Sequence, residues 1–235
     1  MRPAGPVPSD LAERGRSLVV RGVAAVLPWI IQRSLRQGLA GVYARGATDA
    51  LRGGTLLAPT HHAWWDAYLA WYLAHRAGVP LAALMDDAQL QRFPFFRHHG
   101  AIAASHPREL ARRVRRGALG VVFPEGRLRP PGPPGPLAPG AVRLAGWSHA
   151  PLRPVALRVT LRGLQHPEAF VQIGPVVHDD EALGDALAHE VADLDAFIAA
   201  SDPERVPPGV EVWLRGAASP DRRSRRFERL WSDRP

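Results

Sequence analysis

The apolar positions of this chain change period from one stretch to the next. "TLLAPT" (55–60) is a short unbroken apolar run, the pattern of a strand covered on both faces. "AWWDAYLAWYLAHRAG" (63–78) switches to helical spacing and stops at Gly78. Further strands are predicted at 79–85, 101–105, 118–123, 152–161 and 169–174. Helices are predicted at 107–117, which has proline at its start and glycine at its end, and at 139–150 and 179–200. The last of these carries acidic residues in its first turn, where the helix dipole favours them. Strands alternating with helices predict an α/β domain: a mostly parallel mixed sheet flanked by helices. In such sheets ligands meet the carboxyl ends of strands. His61 follows the first predicted strand and Glu125 the fourth.

Ahead of this domain, "SLVVRGVAAVLPWIIQRSLRQGLAGVY" (17–43) is apolar but punctuated by arginine. Its uncharged run, 22–32, is shorter than the roughly 20 residues that span a bilayer. It predicts an amphipathic helix lying in the plane of a membrane interface; an ordinary core-packing helix has the same pattern. The expected organisation is a membrane-associating N-terminal helix in 1–45, an α/β domain in 46–215 and a basic tail in 216–235. In the tail, Phe227, Leu230 and Trp231 share a helical side with arginines around them, which suits an anionic membrane surface or a solvated segment. The first residues predict no secretory signal.

A chain of 235 residues fits one sizeable domain. It has no cysteine, which excludes disulfides, thiolate metal sites and a cysteine nucleophile. It also has no lysine, so all 30 basic residues are arginine and a Schiff-base or P-loop lysine is excluded. The net charge of +8 suits nucleic acid, anionic lipid or acidic substrates. No nucleic-acid module is present and the aromatics do not interleave with the arginines, so nucleic acid is not an expected partner.

Two stretches carry candidate chemistry. In "THHAWWD" (60–66), His61 and Asp66 are five apart. On a regular helix they would not meet. A bend at a strand-to-helix junction brings them together, and a carboxylate on one imidazole nitrogen leaves the other free to act as a base. His62 and Asp66, four apart, offer a rival metal-like spacing, but His75, His98 and His99 complete no recognised ligand motif, and no metal is expected. A pair of packing histidines is the plain alternative. In "VVFPEGRLRP" (121–130), a strand runs into a turn that presents Glu125 and Gly126, with Arg127 and Arg129 behind them, groups able to hold a phosphate or another polar headgroup. The stretch 129–140 then contains six prolines, a stiff loop that walls the site or simply connects.

Together these motifs resemble the glycerolipid acyltransferase family typified by lysophosphatidic acid acyltransferase. Its members carry Asn-His-x-Ser-x-x-Asp, then Phe-Pro-Glu-Gly-Thr-Arg-Ser, then a Val-Pro-Ile-Val-Pro-Val-like strand. This chain has "THHAWWD", "FPEGRLR" (123–129) and "APLRPV" (150–155) in that order. The likeness covers roughly 50–160. It implies that His61 is the catalytic base, that Asp66 orients it, and that Glu125, Gly126, Arg127 and Arg129 lie where the acceptor binds. Pro154 matches the proline of the last motif. The co-substrate would be an acyl-CoA or acyl-carrier-protein thioester, with no further cofactor. The acceptor would be a lipid hydroxyl, and the protein would sit peripherally on the cytoplasmic face of the cell membrane. The candidate oxyanion donors are amides at the start of the 63–78 helix. The family's further Gly-x-x-Phe-Ile-x-Arg motif aligns with "GAIAASH" (100–106), where His106 takes the arginine place; Leu128 takes the arginine place of Phe-Pro-Glu-Gly-Thr-Arg-Ser, and Trp64 the serine place of Asn-His-x-Ser-x-x-Asp. A hydrolase using the same pair on water, or a lipid-binding protein without catalysis, remain the alternatives.

Overall fold

A computed structural model describes residues 9–217, with side chains from residue 17. Among the described residues the strands are β1 (Gly41–Gly46), β2 (Leu56–Pro59), β3 (Leu81–Met85), β4 (Ala101–Ala103), β5 (Leu119–Val121), β6 (Leu152–Thr160), β7 (Glu168–Ile173) and β8 (Glu211–Arg215). The α-helices are α1 (Ser9–Gly38), α2 (Asp66–Arg76), α3 (Asp87–Arg92), α4 (Pro107–Arg115), α5 (Ala141–Ser148) and α6 (Asp180–Ala200). All strands join one sheet in the order β4-β3-β5-β2-β6-β7-β1-β8. The pairs β4·β3, β3·β5, β5·β2, β2·β6 and β7·β1 are parallel, while β6·β7 and β1·β8 are antiparallel. The mostly parallel mixed sheet read from the sequence is the sheet observed.

The central strands explain their own composition. Leu57 faces a cluster that includes Leu35 of α1 and Leu69 of α2, while its neighbour Leu56 faces Leu110 of α4 and Leu144 of α5. Both leucines are fully buried, each contributing about 1.5–3 kcal/mol of transfer free energy. A strand covered on both sides has no polar face to show, hence the unbroken apolar run.

The expected boundary after residue 45 falls inside β1, which pairs with β7 and β8. The helix before it is likewise part of the domain. Ala24, Leu27, Ile31 and Leu35 of α1 recur at helical spacing and are buried, whereas Leu18, Val19, Val26 and Trp29 are exposed. The helix is also longer than its uncharged run suggests: Ser17–Gly38 suffices to cross a membrane by length and composition alone. Its C-terminus is fixed by a close approach, because a Cβ on Gly38 would lie 2.3 Å from the Trp65 ring. The tail beyond residue 217, with Phe227, Leu230 and Trp231, lies outside the described residues.

Candidate active site

Strand β2 ends at Pro59, and the next residue pins the strand to β6. The Thr60 amide donates to Val155 O at 3.0 Å, and the Thr60 hydroxyl accepts from the Leu157 amide at 3.0 Å. The chain then turns through 61–65 before α2 begins at Asp66. No side chain caps this helix from its N-cap residue, Trp65. Instead Asp66 reaches backwards. One carboxylate oxygen, Oδ2, accepts from the amides of His62 (2.7 Å) and Ala63 (2.9 Å) and lies 3.0 Å from His61 Nδ1. Asp66 is fully buried. Its carboxylate only accepts, so the proton on the His61 ring sits on Nδ1 and the Nε2 lone pair has no donor among the described residues. The His61 ring stacks on Phe123 at 4.3 Å and keeps about a quarter of its side chain exposed (23 %). The arrangement is a solvent-accessible base oriented by a buried carboxylate, which can take a proton from a bound hydroxyl.

The "FPEGR" turn holds the other side of His61. Glu125 Oε2 accepts from the His61 amide at 2.8 Å, and the Arg129 amide donates to His61 O at 2.8 Å. Both main-chain polar groups of His61 are therefore fixed by the "FPEGRLR" stretch. The other Glu125 oxygen, Oε1, accepts from the Gly135 amide at 2.9 Å and lies 3.6 Å from Arg129 Nε. Glu125 is buried, and its two oxygens are engaged within the protein. What the structure shows it doing is positioning His61 and the proline-rich loop. Gly126 makes the turn with φ of +66°, a left-handed conformation that suits glycine, and is exposed. Arg127 is exposed and has no ion-pair partner among the described residues, while Arg129 is half-buried.

The proline-rich stretch lies against the site. Besides the Gly135 bond, Ala138 donates to Pro124 O at 2.7 Å, and Arg158 of β6 donates to Gly132 O at 2.8 Å. Arg158 is buried and also grips Asp195 of α6 through two bonds of 2.5 and 2.9 Å.

His62 turns away from the reaction centre. Its Nε2 accepts from the Val159 amide of β6 at 3.1 Å, so its ring is neutral with the proton on Nδ1. Burial holds its pKa below the ordinary value, opposed by the Asp66 charge and reinforced by Arg158. The rival metal spacing of His62 and Asp66 thus resolves into a backbone bond: Asp66 accepts the His62 amide, not the ring. Among the described residues no three histidines and carboxylates converge on a point. His106, in the arginine place of the Gly-x-x-Phe-Ile-x-Arg motif, is exposed beside Ser105 at the carboxyl end of β4.

The sequence reading did not single out Thr60, Phe123 or Arg158. Arg158 left a signal, a lone charge inside the apolar strand "PVALRVTL". Thr60 and Phe123 left none beyond adjacency to the motifs.

Residues 41–158 match the family described as Acyltransferase, half of the chain. No curated protein sequence matches significantly. Among solved structures the chain is similar to the 1-acyl-sn-glycerophosphate (LPA) acyltransferase PlsC from Thermotoga maritima, with a TM-score of 0.53 and 17 % identity over 80 % of this chain and 84 % of that one. That likeness concerns the fold; the family match spans both motifs and the strands that carry them, and on it the chain belongs to the acyltransferase family and is an acyltransferase.

Proposed function

We propose that the protein transfers a fatty acyl group from a coenzyme A or acyl-carrier-protein thioester to the hydroxyl of a lipid, with His61 as general base. The observation that carries this is the buried Asp66 carboxylate on His61 Nδ1, which leaves Nε2 as the open acceptor beside the "FPEGR" turn. The acceptor hydroxyl gives its proton to Nε2 as its oxygen attacks the thioester carbonyl carbon. The tetrahedral oxyanion then collapses, the C–S bond breaks, and the proton passes from the imidazolium to the departing thiolate. The chain has no cysteine, so an acyl-cysteine intermediate has no place in this scheme. For the oxyanion, the amides of His62 and Ala63 are already bonded to Asp66. The Trp64 and Trp65 amides, which donate to no acceptor among the described residues, are candidate donors at this helix start.

The acceptor reading follows the rim. The relative of known structure acts on a 1-acyl-sn-glycerophosphate. Here Arg127 and Arg129 are the cations next to Glu125, so they are the acceptor's phosphate contacts if it carries one. Lipid is favoured over a soluble alcohol by three large apolar side chains standing exposed around the histidines: Trp64 (63 %), Leu128 (55 %) and Leu161 (64 %). Leu128 precedes the residue bonded to His61 O, and Leu161 lies two residues past the one bonded to the His62 ring. With the exposed stripe of α1, they support a peripheral seat on an anionic membrane surface, which we assign to the cytoplasmic side because thioester donors reside there.

The test is a purified preparation given labelled acyl-CoA or acyl-carrier protein with a total lipid extract, beside His61→Ala. Label entering a lipid, and lost in the variant, is the expected result. Free fatty acid as the sole labelled product would replace the transferase with a hydrolase.

A further inference from the structure

The parallel strands have a second rim. At the amino ends of β3, β4 and β5, opposite His61, lies a cleft of roughly 420 Å³. Its floor is apolar, built from Ala74, Val79, Leu81 and Ala118. Its walls carry arginine and histidine. Arg97, His98 and His99 come from the 3-10 turn before β4, and Arg113 and Arg116 from the end of α4. From α2 comes His75, stacked on Trp71 at 4.8 Å. Among the described residues no carboxylate lines the cleft. Glu109 engages Arg113 (2.8 Å), but Arg97 and Arg116 have no ion-pair partner among the described residues.

The cleft is joined to α1. The His75 ring lies 3.2 Å from the Gln32 amide nitrogen, and His99 Nε2 lies 2.7 Å from Ala24 O. These two contacts bracket the segment of α1 that exposes Val26 and Trp29. The cleft is thus at the flank of the helix's apolar outward stripe, at one end of α2, while Trp64 and the His61 rim are at the other end. A bilayer surface lying along α1 meets both.

We infer that this cleft is a second lipid site, holding the phosphate of an anionic phospholipid headgroup while the acceptor occupies the His61 rim. The chemistry is guanidinium on phosphate above a floor that accepts the first carbons of a lipid, beside a helix whose stripe fits the acyl boundary. The inference rests on the membrane reading above but not on the reaction, because the site shares no residue with the His61 rim.

The experiment measures binding of the full chain to vesicles of phosphatidylcholine with and without phosphatidylglycerol. It compares the native chain, Arg97→Ser/Arg116→Ser, and Arg143→Ser/Arg205→Ser. The last pair removes the same charge from exposed positions away from the cleft. The cleft pair is expected to weaken binding to the anionic vesicles by roughly 25-fold. The control pair should change it less than threefold, and all three should melt alike. In parallel, a phosphatidylglycerol with a photoactivatable headgroup should crosslink to 94–100 and 113–118. Equal losses in the two pairs, crosslinks confined to α1, or protection by millimolar inorganic phosphate without vesicle dependence would each overturn the lipid site. His61→Ala should bind vesicles as the native chain does, so loss of the transferase reading leaves this result standing.

Discussion

The amide of His61 donates to Glu125 at 2.8 Å across a gap of 64 residues in sequence. The carbonyl of the same residue accepts from Arg129. His61, the proposed base, is therefore aimed from two directions: its ring by Asp66, and its backbone by the turn after β5. A glutamate that positions and a glutamate that binds acceptor make different predictions. Glu125→Ala removes the acceptor for two amides, at a cost of about 1–3 kcal/mol each where they stay unpaired. It also frees the His61 backbone, and misplacement of a reacting group by about 1 Å costs on the order of 10²-fold in rate. Steady-state kinetics should show the loss in kcat, with the KM for the lipid acceptor changed little. A rise in KM with kcat preserved would return Glu125 to the acceptor site.

Asp66→Asn tests the orientation of the ring. The asparagine oxygen can accept from the two amides or the asparagine nitrogen can face the ring, but it cannot serve His61 Nδ1–H and both amides as the carboxylate does. The imidazolium formed during proton transfer also loses its counter-charge. In the serine-protease triad, whose logic is the same, this change costs about 10⁴ in kcat. Here the expected fall in kcat is at least 10³-fold, with near-native circular dichroism. Activity within tenfold of native would show that Asp66 serves the fold alone.

How far the chain announced this arrangement depends on the kind of signal. The buried strands β2 and β6 were legible because a strand covered on both faces must be apolar throughout. Strand β1 was hidden because "GVYARG" continues the apolar segment of α1 with no break in composition. Strand β8, "EVWLR", is a short edge strand with charged ends. Its pairing to β1 depends on chain far away in sequence, which local periodicity cannot register. At the site, the spacing of His61 and Asp66 was readable as a bend. The bonds from the Gly135 amide to Glu125 and from the Val159 amide to His62 were not, since each joins two segments through a backbone amide. Backbone partners leave no mark on residue type, so the sequence offered Glu125 as an acceptor contact without its two amide bonds.

The His62 ring supplies a dependence on pH. It accepts the Val159 amide, and burial disfavours its charged form. Its folded pKa lies below the ordinary value near 6.5, so the unfolded chain binds the proton more readily. The stability contributed by the neutral ring is complete above about pH 6.5 and declines as pH falls below it. Urea denaturation of the native chain between pH 5 and 8 should show this decline. In His62→Gln, whose amide oxygen can still accept from Val159, the decline should be shallower. An identical slope in both proteins would assign the effect to the other histidines.

Under the proposed function, Arg127 is the residue that tests whether the acceptor carries a phosphate. His106 and Leu128 stand where the family's two motif arginines would be, and Arg129 leans towards Glu125 at 3.6 Å. Arg127 is the exposed cation on this turn without an ion-pair partner among the described residues. If a phosphate-bearing acceptor is held here, Arg127→Ser removes a charge-assisted bond worth about 1.5–3 kcal/mol when desolvated, less at this exposed position. The KM for a lysophosphatidic acid acceptor should rise about tenfold, with kcat nearly constant. A neutral lipid alcohol should be used equally well by both proteins. If Arg127→Ser changes neither acceptor, the phosphate, where there is one, is not held by this turn, and the departures at His106 and Leu128 mark an enzyme whose natural acceptor carries no phosphate.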